Sequence, residues 1–465
     1  MAQKNEPVAL SGPDLLVALE RGGGDSLHEQ LERAIRGQVR SGRLPPGARL
    51  PSSRALASEL SVSRGVVLEA YAQLTAEGYL TASQGAPTRV ASTASVERPP
   101  LPAGSFERRH ELDLSPGSPD LASFPRAAWL RSLRAALREA PFEALGAGDP
   151  RGMAALRNEL MGYLGRARGA APEPEHTIIT TGFTQAFALL SRALHARGVE
   201  RIALEDPGYA PHRLIAERAG LEVVAVSVDA EGLDVAALEA SECEVVVVTP
   251  AHQFPTGVVL SAERRAALLE WAEERDALIV EDDYDSELRY DRVAVGALQG
   301  LAPERVCHIG SLAKRLAPGL RIGWMLSPSW LTGDLTYEKG IGDGGCPAVE
   351  QLAVAEFIAR GELDRHLRRM RILYRGRRAA LLAGMPAGAI TGIAAGLFAL
   401  VRLPAGTAEA AVVAAAAERG VAVESLAWHR LTEEGAPGIL VGFGNTAEPA
   451  LTRAACILSE VASMP

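Results

Sequence analysis

The chain has 465 residues, which is too long for one ordinary domain, and 47% of them are hydrophobic, enough for a sizeable core. With 23% charged residues and a formal net charge of −9, the molecule as a whole is not a polycation. Only three of its 48 basic residues are lysines, namely Lys4, Lys314 and Lys339, and compositional bias of the source genome is the simplest cause. A reaction that needs a lysine amine therefore has few possible sites.

Short sequence features exclude several classes of protein. The N-terminal residues contain no apolar segment, so we expect no secretory signal. The most apolar stretches, 245–248 and 410–417, are too short for a membrane-spanning helix. The cysteines form no CxxC pair, which argues against a disulfide framework or a zinc module; they are Cys243, Cys307, Cys346 and Cys456. The sequence therefore predicts a cytoplasmic protein with no membrane segment and no metal site.

A change of composition divides the chain. Residues 91–110 read ASTASVERPPLPAGSFERRH, a segment rich in proline and small polar residues and without hydrophobic periodicity. Such a segment cannot form a core and is typical of an extended spacer, although a long surface loop within one domain would have the same composition. We predict a small N-terminal domain over residues 12–92, a linker over 93–110 and a large domain over 111–465.

The N-terminal domain has the pattern of three short helices. Apolar residues recur every four positions from Leu27 to Val39, as one side of a first helix requires. A second helix is capped by Ser52 or Ser53, and a third begins at Arg64. The inward side chains expected for the second and third helices are Leu56, Ala57, Leu60, Val67, Leu68, Tyr71 and Leu74.

Two short helices around a tight turn, followed by a hairpin over 79–81 and 88–90, are the pattern of a winged helix-turn-helix. In that motif the N-terminus of the later helix, here the third of the domain, presents side chains to the major groove. Ser63 and Arg64 can therefore meet a phosphate or a base edge. The stretch from 43 to 64 is locally positive, but a local patch is by itself a weak indication of nucleic-acid binding.

Residues 50–80, LPSSRALASELSVSRGVVLEAYAQLTAEGYL, closely resemble the DNA-binding domain of GntR-type bacterial regulators. The resemblance covers nearly the whole N-terminal domain. It implies contacts with double-stranded DNA from Arg49, Arg54, Ser63, Arg64 and the wing residue Gly85. For Arg54 the alternative is an ordinary arginine on a helix surface.

The large domain alternates apolar strands with amphipathic helices, which predicts an α/β fold with a mostly parallel sheet. The predicted strands are 177–180, 201–204, 223–226, 245–248, 278–280 and 306–309. In such sheets, ligands bind at the carboxyl ends of the strands. Five polar segments follow these strands: TGFTQA (181–186), EDPGY (205–209), TPAHQFPTG (249–257), EDDYD (281–285) and GSLAKRLAPGLRIG (310–323). We therefore expect these segments to meet at one edge of the sheet.

Together the five segments supply a glycine turn at a helix N-terminus, a carboxylate, tyrosines, a lysine and an arginine. A cofactor with a phosphate, an aldehyde and a pyridine nitrogen requires this set, because the lysine forms a Schiff base and the carboxylate keeps the nitrogen protonated. Each element has another explanation. The SxxK tetrad at Ser311 also occurs in serine acyl-transferases, whose companion SDN and KTG motifs are absent here, and EDDYD could be a solvated loop or a Mg²⁺ site.

Residues 111–465 resemble the aminotransferase-like, fold-type I pyridoxal-phosphate domain, and the whole chain resembles the MocR subfamily of bacterial regulators. The strings that carry the resemblance are DPRG (149–152), EDPGY (205–209), TPAHQFPTG (249–257), EDDYDSELRY (281–290), SLAKRLAPGLRIGW (311–324) and HLRRMRILYRGRR (366–378). The resemblance implies a smaller C-terminal α+β subdomain beside the main sheet, and pyridoxal 5'-phosphate as the cofactor.

The same resemblance implies roles for individual residues. Lys314 is the Schiff-base lysine, and Asp282 pairs with the pyridine nitrogen. Tyr284 hydrogen-bonds to the 3-oxygen of the cofactor, and Tyr209 stacks on its ring. The residues implied to hold the phosphate are Phe183, Thr184, Ser311 and Arg321.

Three positions depart from the aminotransferase pattern. Phe254 stands where those enzymes have the asparagine of NPTG, and Ala147 stands where the family has a tyrosine before DPRG. In the strand GILVGF, Leu440 occupies the position of the arginine that binds the substrate α-carboxylate. An uncharged residue there removes a bidentate clamp, although Arg430 or Arg402 could substitute for it.

Two functions follow from these observations. The first is a DNA-binding transcriptional regulator whose degenerate aminotransferase domain senses pyridoxal phosphate, with or without an amino compound, and controls vitamin B6 synthesis or amino-compound metabolism. Loss of the clamp favours pyridoxal phosphate itself as the signal. The alternative is an active aminotransferase with an accessory DNA-binding domain. The resemblance also implies a homodimer whose paired winged helices bind two half-sites of an operator.

Overall fold

The computed structural model describes residues 15, 17, 19–21, 25–82, 86–91, 111–290, 295–433 and 435–462. The chain divides into two compact units, Met1–Phe106 and Glu107–Pro465. The linker predicted over 93–110 lies outside the described residues, so its limits remain a prediction. Over the described ranges, no helix is both long enough and apolar enough to span a bilayer.

The first unit contains three helices and a short antiparallel hairpin, namely α1 (Leu27–Arg40), α2 (Ser53–Glu59), α3 (Arg64–Ala76), β1 (Leu80–Thr81) and β2 (Arg89–Val90). A serine caps each helix, because the hydroxyls of Ser26, Ser52 and Ser63 accept hydrogen bonds from amides of the first turns. The cap of α2 is therefore Ser52 and not Ser53. Helices α2 and α3, with the turn between them, form the predicted helix-turn-helix.

The three helices bury their apolar sides in one core, in which Leu31, Leu56, Val67 and Leu74 are fully buried. The sequence prediction is wrong for Leu68, which is 47% exposed. The inward side of α3 starts at Val67 and continues in steps of three and four residues, so the side chain that follows it points about 100° away from the core.

The second unit begins with β3 (Leu112–Asp113) and then builds an eight-stranded sheet. Its strands are β4 (Thr177–Thr180), β5 (Arg201–Asp206), β6 (Glu222–Asp229), β7 (Gly232–Leu233), β8 (Val245–Val248), β9 (Leu278–Asp283), β10 (Val306–Ser311) and β11 (Gly323–Leu326). Their spatial order is β4-β11-β10-β9-β8-β5-β6-β7. Among the described strands of this sheet, only β7 and β11 run antiparallel to their neighbours. This confirms the predicted α/β class with a mostly parallel sheet.

Helices cover both faces of this sheet, whose central strands are buried along their whole length. The helices up to the C-terminal subdomain are α4 (Arg126–Glu139), α5 (Ala154–Arg168), α6 (Phe183–Ala196), α7 (Ala210–Arg218), α8 (Val235–Ala240), α9 (Ala262–Glu274), α10 (Leu312–Arg315), α11 (Ser329–Asp343), α12 (Ala348–Ala359) and α13 (Glu362–Ala383). Apolar side chains of α6, α7 and α11 pack on one face, and those of α8 and α9 pack on the other.

The C-terminal part is the smaller α+β subdomain that the sequence predicts. It contains β12 (Ile390–Thr391), β13 (Phe398–Arg402), α14 (Glu409–Glu418), β14 (Val421–Ala422), β15 (Glu424–Ser425), β16 (Gly438–Gly442) and α15 (Glu448–Ala462). Four of the strands form an antiparallel sheet of order β12-β13-β16-β15, and β14 pairs with β3.

The short strands β7 and β11 are absent from the predicted set. The second of them matters for the site, because β11 runs antiparallel between β4 and β10 and pairs Gly323 with Ser311. The start of β11 therefore lies at the same sheet edge as the carboxyl ends of β4 and β10. This brings Arg321 to the edge at which the parallel strands end.

Candidate functional site

A cavity of about 390 Å³ lies at the carboxyl edge of the large sheet. Its volume is within the range of about 300–1,000 Å³ that is typical of small-molecule sites. All eight residues that the sequence assigns to a cofactor line this cavity: Phe183, Thr184, Tyr209, Asp282, Tyr284, Ser311, Lys314 and Arg321. The structure thus brings together side chains that are up to 138 positions apart in the range 183–321.

Lys314 enters the cavity from α10, directly after β10. Its ammonium donates a hydrogen bond of 2.6 Å to the carbonyl oxygen of Gly117. If residue 117 carried a Cβ atom, that atom would lie 2.5 Å from the same nitrogen. Burial lowers the pKa of Lys314, although the carboxylates of Asp285 and Asp282 oppose this shift. A lowered pKa increases the fraction of neutral amine, which is the form that attacks an aldehyde.

Asp282 is buried at the end of β9, where its Oδ2 lies 3.1 Å from Nε2 of His212. Burial raises the pKa of this carboxyl group, and the hydrogen bond from His212 opposes the shift. A buried carboxylate is suited to a protonated ring nitrogen, which would compensate its charge. The sequence reading missed His212, a residue of α7 whose ring meets Asp282 only in the folded chain.

The N-terminus of α6 faces the cavity through Phe183 and Thr184. Gly182 precedes the helix with φ at +118°, and no side chain caps the first turn, so backbone amides remain available for an anion. The guanidinium of Arg321 lies close to Gly182, because a Cβ atom added to that glycine would be 3.8 Å from Nη1 of Arg321. Amides and a guanidinium at one place form a site for a phosphate.

The EDDYD segment is buried rather than a solvated loop, with Asp282, Asp283 and Asp285 at most 6% exposed. Because side chains alternate along a strand, Asp283 points away from the cavity. There it accepts a 2.7 Å hydrogen bond from Arg168 and lies 3.4 Å from Arg315. Burial acts to raise the pKa of Asp283, but the two arginines hold it well below its ordinary value. This ion cluster supports the helix that carries Lys314.

Tyr284 points into the cavity, and its hydroxyl donates a 2.7 Å hydrogen bond to the carbonyl oxygen of His252. Nδ1 of His252 lies 2.9 Å from Oδ2 of Asp285 and 3.1 Å from the Tyr284 hydroxyl. The ring of Tyr209 is 37% exposed and packs edge-on against Phe254 at 5.4 Å. The roles of Tyr284 and Tyr209 toward a cofactor remain predictions, and the sequence reading missed His252 and Asp285.

Two of the three positions that depart from the aminotransferase pattern, Phe254 and Leu440, lie in one apolar cluster, whereas Ala147 is exposed. Leu440 is fully buried on β16 and belongs to the same cluster as Phe254 and Phe398. Neither arginine that could replace the clamp lines the cavity. Nη1 of Arg430 lies 3.4 Å from Oε1 of Glu409, and Nη2 of the same side chain donates a hydrogen bond to the carbonyl oxygen of residue 436. Arg402 is exposed at the end of β13.

The predicted DNA contacts lie on the surface of the first unit. Arg49, Arg54, Ser63 and Arg64 are all exposed. Ser63 and Arg64 lie at the start of α3, Arg54 lies on α2, and Arg49 pairs with Arg89 of the hairpin. Nε of Arg64 donates a 3.3 Å hydrogen bond to Ser53, and the hydroxyl of Ser63 caps α3. Gly85 lies outside the described residues. Arg43 and Arg89 are further exposed basic side chains, which the sequence reading did not assign to DNA.

Comparison with known proteins agrees with both units. A sequence-family model described as aminotransferase class I and II matches residues 109–435. A second, described as bacterial regulatory proteins of the gntR family, matches residues 27–90. The kynurenine aminotransferase of Pyrococcus horikoshii, solved in complex with PMP, is similar with a TM-score of 0.70 and 27% identity, over 76% of this chain and 90% of that one.

Two relatives combine both units. The chain is 36% identical over 463 residues to the HTH-type pyridoxine biosynthesis transcriptional regulator PdxR of Corynebacterium glutamicum, covering 97% of this chain and 99% of the relative. It is 33% identical over 391 residues to the probable rhizopine catabolism regulatory protein MocR of Rhizobium meliloti, covering 79% of each. A gntR domain implies DNA binding, and an aminotransferase fold typically uses pyridoxal phosphate. Because both family models match this chain and its relatives include PdxR and MocR, the chain belongs to the MocR-type GntR transcriptional regulators.

Proposed function

We propose that this regulator binds pyridoxal phosphate in the cavity of its aminotransferase-like domain and changes its affinity for an operator in response. The observation that carries the proposal is the convergence of Lys314, Asp282 and Arg321 on one cavity, whose described lining contains no second arginine for a substrate carboxylate. The similarity to PdxR over nearly the whole chain supports vitamin B6 synthesis as the process that it controls.

The residues of the cavity would divide the recognition of the cofactor among them. When bound, pyridoxal phosphate supplies an aldehyde for a Schiff base with Lys314. Asp282 would keep the ring nitrogen protonated. The positive charge of that nitrogen would compensate the carboxylate of Asp282, which is only 6% exposed. The first amides of α6 and the guanidinium of Arg321 would bind the phosphate. Recognition of the cofactor therefore needs no residue that acts on an amino-acid carboxylate.

A signal requires that the cofactor bind two conformations of the protein with different affinities. Segments that touch the cavity are also bound to the C-terminal subdomain, since the amide of Gly208 donates a 2.9 Å hydrogen bond to the carbonyl of His429. Occupancy of the cavity can therefore shift this subdomain relative to the large sheet. We propose that this shift alters how the winged helices engage DNA.

We also propose that the regulator is a homodimer. Large apolar side chains are exposed on the second unit, in α4, in the 3-10 helix Phe142–Leu145 and in α11: they are Leu130, Leu137, Phe142, Leu145, Tyr337 and Ile341. Exposed apolar side chains of this size are a feature of protein-protein interfaces. A two-fold dimer would bring two winged helices to two half-sites of an operator.

Absorbance spectroscopy tests the cofactor assignment. The purified chain incubated with pyridoxal phosphate should gain a visible Schiff-base band, which Lys314→Ala should abolish while the far-ultraviolet circular dichroism stays unchanged. Lys314→Arg is the matched control, because it keeps a cation at the position but cannot form the bond. Persistence of the band in either variant would show that another amine reacts.

Titration of DNA tests the regulatory assignment. The DNA upstream of the gene should bind with at least a threefold different affinity in the presence and absence of pyridoxal phosphate. Coincident curves would overturn the proposal. Sustained formation of 2-oxoglutarate from L-glutamate by the loaded protein, with pyruvate supplied as the acceptor of the amino group, would instead favour the alternative, an active aminotransferase with an accessory DNA-binding domain.

A further inference from the structure

The hydroxyl of Tyr284 has polar neighbours on the protein side of the cavity wall. It lies 2.7 Å from the carbonyl oxygen of His252 and 3.1 Å from Nδ1 of the same residue. That nitrogen also lies 2.9 Å from Oδ2 of Asp285. Tyr284 and Asp285 line the cavity, whereas His252 is 3% exposed. The proposed binding of pyridoxal phosphate gives no role to these two partners of the tyrosine, here called the Asp285–His252 pair.

The chemistry of these groups determines where their hydrogen atoms lie. A carboxylate can only accept, so Nδ1 of His252 carries the hydrogen that it donates to Asp285. A backbone carbonyl can also only accept, so the single proton of the Tyr284 hydroxyl is directed at the carbonyl oxygen of His252. Because Nδ1 is protonated, the imidazole cannot take that proton either. The hydroxyl of Tyr284 therefore presents its oxygen, and not its proton, to the cavity.

The Asp285–His252 pair is tightly packed. The imidazole ring is stacked with the rings of Tyr284 and Phe398, at centroid distances of 6.0 and 5.2 Å. Gly396 has a φ of +69°, and a Cβ atom at this position would overlap Oδ2 of Asp285 and lie 2.5 Å from Cε1 of His252. Little room is left for the imidazole to turn and release the hydroxyl.

The hydroxyl of Tyr284 stays protonated well beyond neutral pH. Burial raises its pKa well above the ordinary value, and four carboxylates act in the same direction, those of Asp285, Asp282, Glu205 and Asp283. Two of them, Asp285 and Asp282, also act on Lys314. The other charged or titratable side chains that line the cavity are Tyr209, Arg321, Glu424 and His429. The effect of the neutral hydroxyl on a ligand therefore depends on the direction of its proton.

The order of the strands places Tyr284 beside the 3-oxygen of a bound cofactor. The phosphate site at Arg321 lies by β4 and β11, and His252 follows β8 on the other side of the cavity. Lys314 and Asp282, which would meet the aldehyde and the ring nitrogen, lie by β10 and β9 between them. In pyridoxal phosphate the carbon that bears the phosphate arm and the carbon that bears the 3-oxygen are on opposite sides of the aldehyde carbon. A ring held at these three points therefore turns its 3-oxygen toward Tyr284.

We propose that the Asp285–His252 pair holds Tyr284 as a hydrogen-bond acceptor toward the 3-oxygen, so that the Schiff base keeps its proton to a higher pH than it would beside a donor. This inference rests on the proposed binding of pyridoxal phosphate and assigns two positioning residues to that site. The Schiff-base nitrogen and the 3-oxygen share one proton. When it is lost, the oxygen bears a full negative charge, which a neighbouring acceptor destabilises and a donor would stabilise. Phe254, whose ring lies 6.3 Å from that of Tyr284, supplies no donor in place of the asparagine of NPTG.

A pH titration of the visible band tests the proposal by the sign of one change. In the full-length chain loaded with pyridoxal phosphate, Tyr284→Phe should lower the pKa of the Schiff base by about 1, because it removes the acceptor. A tyrosine that donated to the 3-oxygen would give the opposite result, so an equal or higher pKa in Tyr284→Phe overturns the proposal. Tyr71→Phe is the matched control, since it removes a buried hydroxyl that donates to a backbone carbonyl in the first unit, and it should leave the pKa of the Schiff base unchanged.

The role of His252 is tested in two backgrounds. His252→Leu frees the hydroxyl of Tyr284 to donate, so it should lower the pKa of the Schiff base by about 1 in the wild-type chain and by much less in Tyr284→Phe. His252→Asn keeps an N–H close to the position of Nδ1 and should retain the wild-type value. An equal effect of His252→Leu in both backgrounds would show that the pair acts by charge alone, which overturns its positioning role. If His252→Leu does not fold, Tyr284→Phe decides the proposal.

The band and the binding of DNA separate the possible failures. Absence of the visible band from the wild-type chain overturns the proposed function and this inference together. A band whose pKa rises in Tyr284→Phe overturns the inference and leaves the proposed function intact. Coincident DNA-binding curves with and without the cofactor overturn the proposed regulation and leave the inference intact.

Discussion

The cavity has two sides that differ in composition. On the side formed by the large sheet, Asp282, Lys314 and Arg321 are polar groups from the sequence motifs of the family. On the side next to the C-terminal subdomain, Phe254 from the segment after β8 lines the cavity and packs in one apolar cluster with Leu440 of β16, and both positions depart from the aminotransferase pattern. The two departures are therefore coupled by packing, and a cavity can keep the groups that suit a cofactor while losing those that bind an amino-acid carboxylate.

The two sides also differ in what lies behind them. Behind the polar side is a buried ion cluster, in which Arg315 donates a 2.7 Å hydrogen bond to Glu287 and lies 3.4 Å from Asp283. Behind the apolar side are aliphatic and aromatic side chains that need no partners. Substitutions on the first side should therefore act through unpaired charges, and those on the second through packing.

Arg315→Ala should have the largest effect on stability. It leaves Glu287 buried without its guanidinium and Asp283 with Arg168 alone, and breaking a buried pair in this way costs up to about 5 kcal/mol. Urea unfolding should show the loss, whereas the control Arg402→Ala, at the exposed end of β13, should change the free energy of unfolding by less than about 0.5 kcal/mol. A loss below about 1 kcal/mol for Arg315→Ala would mean that the ion cluster does not support the polar side.

Leu440→Arg tests whether the apolar side is one substitution away from a carboxylate site. The fully buried position would place a guanidinium among Phe254, Phe398 and other apolar side chains, so we expect a loss of about 3 to 4 kcal/mol. Leu440→Met is the matched control and should cost less than about 1.5 kcal/mol. A stable arginine variant that binds L-glutamate at least tenfold more tightly would contradict the coupling of the two departures.

Glu205 joins the segments EDPGY and TPAHQFPTG, and it gives a pH-dependent comparison. Burial raises the pKa of Glu205 to about 7, with hydrogen bonds from Thr249 and Gln253 opposing the shift. Since the folded state then binds the proton more tightly than the unfolded state, the stability from this group is complete below pH 4.5 and is lost as the pH rises through about 7.

The loss corresponds to about 3 kcal/mol for a difference of this size between the folded and unfolded pKa values. Unfolding of the wild-type chain and of Glu205→Gln at several pH values should show the difference in their free energies changing by that amount between pH 4.5 and pH 8. A constant difference across this range would contradict the raised pKa.

Asp282→Asn should have the smallest effect, because it removes one charge but keeps a polar group of the same size. If Asp282 pairs with the ring nitrogen, the affinity for pyridoxal phosphate should fall about thirtyfold, or about 2 kcal/mol, with the visible band still present. Fluorescence titration measures the affinity. An affinity within threefold of the wild type would show that the polar side does not depend on this charge.

Much of the fold was predictable because the signals for it are local. The strands 177–180 and 245–248 have the same limits in the sequence reading and in the structure, since short runs of β-branched residues followed by glycine or polar turns favour a strand over a helix. The sequence prediction placed Leu68 in the core wrongly and did not include β7 and β11. The start of a helical stripe and the pairing of a two- to four-residue strand depend on neighbours that a local pattern does not contain.

The sequence by itself determined which chemical groups are available: one lysine after a strand, a carboxylate run, a glycine turn and an unusual leucine and phenylalanine. Only the tertiary structure decided which of these groups meet, because the strand order of the sheet places segments from positions 116 to 429 around one cavity. It paired His212 with Asp282 and turned Asp283 away toward Arg168. Such partners are far apart in the chain, and their distances follow from packing and not from spacing in the sequence.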